Sequence, residues 1–305
     1  MGRQYAAFFM FINEKIKNYL KLHFIIFIWG FTGILGKLID SLDGAPLAWV
    51  RMGIAFLGLA VFMVLRKVSF KVETLTLLKF LGIGIIIAIH WATFFIAIKV
   101  SNVSVALVCM SSSALFMAFI EPIIFRKKIV PYEIFFGLIV IGALFMIFKI
   151  EPQYAEGICY ALVSAFLAAL FTAINAIYIK THNATQITTY EMLGGFIGLS
   201  MFLLYIGEFN AENMIPVGDD WIYLLILALI CTAYAFVVSV DIMKVVSPFT
   251  MAISVNLEPI YAILLALFIF GEEEHMSNGF YFGGTVLILT ILANGIMKTR
   301  SKKKT

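Results

Sequence analysis

Apolar stretches close to twenty residues long recur along the chain from Leu22 to Met297. Each is long enough to cross a hydrocarbon core of about 30 Å as a helix. Inside a bilayer the backbone has no water to bond to, so a spanning segment must satisfy its N–H and C=O groups internally, as a helix does. Composition agrees: 62% of residues are hydrophobic and 13% charged, against about half and a quarter in soluble domains. The pattern predicts an all-α polytopic membrane protein. Spans are expected at roughly 22–40, 46–66, 76–98, 101–125, 131–149, 155–179, 186–207, 220–241, 246–270 and 279–298, between an N-terminal segment 1–21 and a basic tail 299–305.

Charge placement tests this count independently. With ten spans, 18 of the 22 basic residues fall on the side of the termini, among them Lys15, Lys17, Arg66, Lys67, Arg126, Lys127, Lys128, Lys180 and Lys244. The other side holds Lys37, Lys99 and Lys149 with many acids, including Asp40, Asp43, Asp219 and Glu272 to Glu274. Excess Lys and Arg mark the cytoplasmic side, so both termini are expected in the cytoplasm and the chain in the plasma (inner) membrane. The stretch "AAFFMFI" (residues 6–12) is too short for a cleavable signal and is followed by charge; it reads as a short interfacial helix or as an upstream extension if translation begins at Met10. The cysteines Cys109, Cys159 and Cys231 sit in apolar stretches without metal-ligand spacing and read as small buried hydrophobes.

The two halves resemble each other. "RMGIAFLGLAVF" (51–62) aligns with "EMLGGFIGLSMF" (191–202) at an offset of 140, and an offset of 146 brings Ser101 onto Ser247, Ala106 onto Ala252 and Gly137 onto Gly283. Five spans is an odd number, so two such halves (22–149 and 155–298) enter the membrane from opposite sides as inverted repeats. In transporters of that construction the substrate site lies between the halves near the midplane. The ten spans, "PLAWVRMGIAF" in span 2, "NLEPIYAILLALFIFGE" in span 9 and the following Gly283 resemble the EamA-type branch of the drug/metabolite transporter superfamily. The resemblance implies a carrier of amino acids, other small metabolites or drugs, often an exporter, with the first four helices of each half around a central cavity. One departure is the "GE" after span 9 (Gly271, Glu272), which has no copy after span 4, where Arg126 stands.

Polar residues inside the apolar stretches are the candidate site. Glu258 sits about 18 Å into span 9 at 1.5 Å per residue, near the midplane, and intramembrane acids commonly mark substrate or ion routes. Pro259 removes a helical hydrogen bond and is expected to free the Val255 carbonyl and kink the span. Asn256 is at the same level, and the 146 offset pairs Glu258 with Ser112, inside the run Ser111, Ser112, Ser113 of span 4. Arg51, near the outer end of span 2, is shaped for bidentate carboxylate binding, and Glu191 stands at the matching place in span 7. Snorkelling or a helix–helix ion pair accounts equally well for Arg51 and better for Glu191. His90 in span 3 and Trp29 in span 1 are either cavity groups or packing groups. The glycines of "GFYFG" (279–283) suit helix contact, within the chain or in a homodimer.

No Walker-type phosphate loop is present, which argues against ATP-driven transport. A lone His near three serines is a thin basis for an intramembrane enzyme. Neither a catalytic residue nor a metal ligand nor a cofactor is expected, and nucleic acid is not an expected partner. The partners expected are a small-molecule substrate and the lipid bilayer, with the chain a monomer or homodimer. Glu258 is the candidate for proton coupling, with an uncoupled facilitator as the alternative.

Overall fold

The computed structural model describes residues 2–126, 128 and 131–301; of residues 2–15, 131, 133, 134 and 298–301 it describes the helical backbone alone. Lys127 and the tail lysines Lys302, Lys303 and Lys304 lie outside the described residues. The first half comprises α1 (Gly2–Leu38), α2 (Gly44–Leu65), α3 (Thr74–Val100), the pair α4 (Val103–Met110) and α5 (Ser113–Phe125), and α6 (Pro131–Ile150). The second comprises α7 (Ala155–Tyr178), α8 (Ala184–Ile206), a short α9 (Ala211–Met214), α10 (Asp220–Leu225), a π-helical segment (Ile226–Tyr234), α11 (Ala235–Ile242), the pair α12 (Pro248–Val255) and α13 (Glu258–Phe270), and α14 (Asn278–Ser301). Among the described residues nine helices are long and apolar enough to cross a membrane, and α6 supplies a shorter apolar stretch, Phe135–Ile150. The fold is an all-α membrane bundle of two inverted five-helix repeats.

One expectation changes at the N-terminus: there is no separate interfacial helix, because α1 runs without a break from Gly2 to Leu38. Lys17 and Lys21 interrupt the apolar run without interrupting the helix, because a long lysine stem can follow the helix surface and carry its charge back to water.

Spans 4 and 9 are each two short helices rather than one kinked helix. The breaks fall at Ser111–Ser112 and at Asn256–Leu257. Both lead from an eight-residue helix into one of 13 residues, α5 and α13. This symmetry fixes the register at 145, so Ser113 and not Ser112 corresponds to Glu258. Pro259 lies in the first turn of α13, where a missing N–H costs little, and the break precedes it. Span 4 breaks at the same place without a proline. There the Ser112 hydroxyl donates to the Cys109 carbonyl at 2.7 Å and the Ser111 hydroxyl to Leu107 at 3.3 Å, a local alternative to the helical ladder.

The halves interlock through α3, which packs along α7 and α8. The approach is closest at Gly84 and Gly194: a Cβ on Gly84 would overlap the Glu191 carbonyl, and one on Gly194 would overlap the backbone of Leu81. Only glycine allows backbones so near. At the periphery α14 packs on α6, with Gly279 against Ile150 and Gly283 against Ile147, so the "GFYFG" glycines serve contact within the chain. At the acidic face Glu274 is fully buried. It accepts from the backbone N–H groups of Val103 (3.1 Å) and Ser104 (2.9 Å) and pairs with Lys37 at 3.1 Å. That carboxylate caps α4 and ties α1, α4 and the segment after α13 together.

Candidate functional site

A cavity of about 120 Å³ lies between the halves. It is lined from α1, α2, α3, both broken spans, α7 and α11, and no lining residue comes from α6, α8 or α14. That is room for several water molecules or part of a small solute. Of the residues singled out in the sequence, Trp29, Arg51, His90, Ser111, Ser113, Asn256, Glu258 and Pro259 line it. Ser112 does not: it is fully buried, as the one-residue shift in register requires.

Arg51 is the best-defined element. It is the eighth residue of α2 and only 1% exposed. Its guanidinium lies 4.0 Å from the ring centroid of Trp91 and 5.4 Å from that of Phe95, and in a dry setting such cation–π contacts are worth about 2 kcal/mol. Nε donates to the Thr232 hydroxyl, and Nη1 is buried with no hydrogen-bond partner. Unpartnered buried donors are uncommon and costly. Glu258 lies within electrostatic reach of Arg51, yet no direct ion pair joins them.

The π-helical segment explains how Thr232 comes to face Arg51. Its wider turn lets the Thr232 hydroxyl donate to Leu227, five residues back (2.8 Å), while accepting from Arg51. The neighbouring Cys231 carbonyl accepts from the Trp29 indole at 3.0 Å. Such wide turns are often found at functional sites. Beside Trp91 on α3, His90 Nδ1 is 2.9 Å from the Ser164 carbonyl and 2.8 Å from its hydroxyl. A carbonyl can only accept, so Nδ1 carries a proton and the ring orientation is fixed by α7. Phe171 and Phe236, with centroids 5.7 Å apart, join Trp91 as aromatic wall.

Other positions resolve as follows. Asn256 donates from its amide to the Ala252 carbonyl at 3.1 Å, closing the end of α12 while lining the cavity. Asn175 of α7 lines the cavity and is fully buried, with both its amide atoms unpartnered; sequence reading missed it. Glu191 is fully buried, with neither carboxyl oxygen hydrogen-bonded. The expected snorkelling or ion pair does not form, because α8 is covered at this level by α3. Among the described residues no cluster of three or more His, Cys, Asp or Glu could hold a metal ion.

An inverted-repeat membrane bundle closed around a partly polar cavity defines a membrane transport protein. The EamA-like transporter family model matches residues 18–149 and 155–295, and the chain belongs to that family. An uncharacterized transporter of Archaeoglobus fulgidus is 23% identical over 285 residues, covering 89% of this chain and 95% of that one. A crystal structure 14% identical in sequence superposes with a TM-score of 0.64 over 90% of this chain and 95% of the other, a likeness of fold alone.

Proposed function

We propose that this transporter is a secondary carrier for small anionic or zwitterionic metabolites, amino acids and similar amphipathic solutes among them, which bind in the central cavity with a carboxylate on Arg51. The observation that carries the reading is the free Nη1 of Arg51, buried at the cavity beside aromatic walls. A carboxylate is the natural complement of a planar guanidinium, and Phe171, Phe236 and Trp91 suit an apolar side chain. Glu258, on the opposite half of the fold, is the acid that exchanges a proton as substrate moves. Export is the direction that the family resemblance favours, and drugs with a carboxylate fit the same chemistry.

The test is flux into and out of proteoliposomes, using labelled amino acids and simple carboxylates alongside their neutral amides. Carboxylates should move and the matched amides should not; equal flux of both, or of neither, overturns the reading. An uncoupled facilitator is the alternative, and it would equilibrate solute without accumulating it under an imposed pH gradient.

The same reading places both termini in the cytoplasm of a cell with this protein in its inner membrane. In intact cells, single cysteines replacing Asp43, Asp219 or Glu273, all exposed, should react with an impermeant reagent added outside. Cysteines replacing Lys128 or Lys180, exposed at the other face, should react only after permeabilisation. External labelling at position 180 would reverse the orientation.

A further inference from the structure

Glu191 is the eighth residue of α8, as Arg51 is of α2, so the two repeats place opposite charges at equivalent positions. Arg51 has Thr232, two aromatic faces and the nearby Glu258. Glu191 has no comparable company. On the helices packed around α8, Arg51 is held as described, and His90 of α3 is paired with Ser164. Lys79 of α3 is exposed, and Asp241 of α11 pairs with Lys244. From α7 comes only Asn175, whose amide is near enough to act on the Glu191 carboxyl as a weak donor but falls outside strict hydrogen-bond geometry. One turn back on the same face of α8, the hydroxyl of Thr188 is also buried and unpartnered.

Three neighbouring buried side chains thus hold five polar atoms with no well-formed hydrogen bond: both oxygens of Glu191, both amide atoms of Asn175 and the hydroxyl of Thr188. An ionised carboxylate so placed would cost several kcal/mol and would offer only acceptors to the Asn175 oxygen. A carboxylic acid supplies the missing donor: its O–H can donate to Asn175 Oδ1 while its second oxygen accepts from Thr188 Oγ1. A metal cation fits less well. It would find four side-chain oxygens where hard cations take about six or more, and unbroken α8 keeps its carbonyls in the helical ladder.

We propose that Glu191, Asn175 and Thr188 form a proton-binding site on the side of the cavity nearer the termini, with Glu191 as the carrier and Asn175 as its contact with the substrate. Asn175 is the one member that lines the cavity. With Glu191 protonated, Asn175 Oδ1 faces the acid and Nδ2 is free for the cavity. When the proton leaves to cavity water, the amide turns over, gives Nδ2 to the carboxylate and presents Oδ1 to the solute. Proton loss then replaces a donor by an acceptor at the cavity wall, which weakens the hold on an anion. The switch adjusts how firmly the solute is held and leaves the exchanged proton to Glu258; that use rests on the carrier reading, and the proton site itself does not.

The test is pH-difference infrared spectroscopy of the full-length protein in lipid vesicles between neutral and alkaline pH, where exposed carboxyls stay ionised. A protonated-carboxyl band should disappear on alkalinisation. The part of it lost in Glu191→Gln should survive in Glu258→Gln and should shift in Asn175→Leu, which removes the acceptor. A Glu191→Gln spectrum identical to wild type overturns the proposal. So does a band that changes with added sodium at fixed pH, which would make the ligand a metal ion. If Glu191→Gln does not assemble, Asn175→Leu decides, and an unshifted band refutes the site. No transport is measured, so this result stands apart from the flux test of the carrier reading.

Discussion

Replacing Arg51 with methionine is expected to lower the affinity for a carboxylate substrate by about 100-fold. Losing a buried charged contact of this kind costs about 3 kcal/mol, and each 1.4 kcal/mol is about tenfold. Methionine keeps the length and the apolar stem but leaves nothing to replace Nη1 at the cavity. The effect should appear as a raised half-saturation concentration in proteoliposome uptake, because the residue binds substrate and does not drive the conformational change. Arg51→Lys should recover little of it. An ammonium has no flat face to lie over Trp91 and offers no fork to a carboxylate. Some stability should be lost with the contacts to Trp91, Phe95 and Thr232, so uptake is compared at matched amounts of monodisperse protein. Unchanged uptake by Arg51→Met would make the residue a packing group and remove the main support for an anionic substrate.

The bundle was legible in the sequence because a bilayer demands long apolar helices and the charges between them sort by side. The candidate site was legible where polarity is loud. Arg51, His90 and Glu258 stand out against an apolar background and all reach the cavity. Small polar residues do not stand out. Asn175, Ser164 and Thr188 look like ordinary members of an apolar run until the helices that cover them are known. Thr232 was harder still, since the π-helical turn that aims it at Arg51 has no signature in "LICTAY" (229–234). The serine run falls at the break of span 4, with Ser111 and Ser113 on the cavity, but it reads one residue out of register, because identity matches between halves give 146 where the helix breaks give 145. Glu191 was misjudged because sequence shows depth along a helix better than which neighbour covers it.

Pro259 teaches a related lesson. The proline drew attention to span 9, yet span 4 divides at the equivalent point with serines alone. A shared break in both repeats points to a constraint on the cavity, where two short helices must turn polar groups inward at one level, and proline is one of two ways this chain meets it. That bears on Glu258, which opens α13 just after the break and so faces the cavity beside Asn256. Glu258→Gln keeps the shape and leaves the break intact but cannot carry a proton. A pH difference of one unit is worth about 1.4 kcal/mol per proton, enough for about tenfold accumulation when one proton is exchanged per substrate. The variant should lose about that factor for each unit of imposed gradient, while exchange with no gradient and the amount of protein inserted stay near wild type. The comparison is accumulation of labelled substrate at matched protein density, with and without the gradient. If Glu258→Gln accumulates substrate as wild type does, Glu258 carries no coupling proton, and its carboxyl serves instead as a fixed countercharge to Arg51.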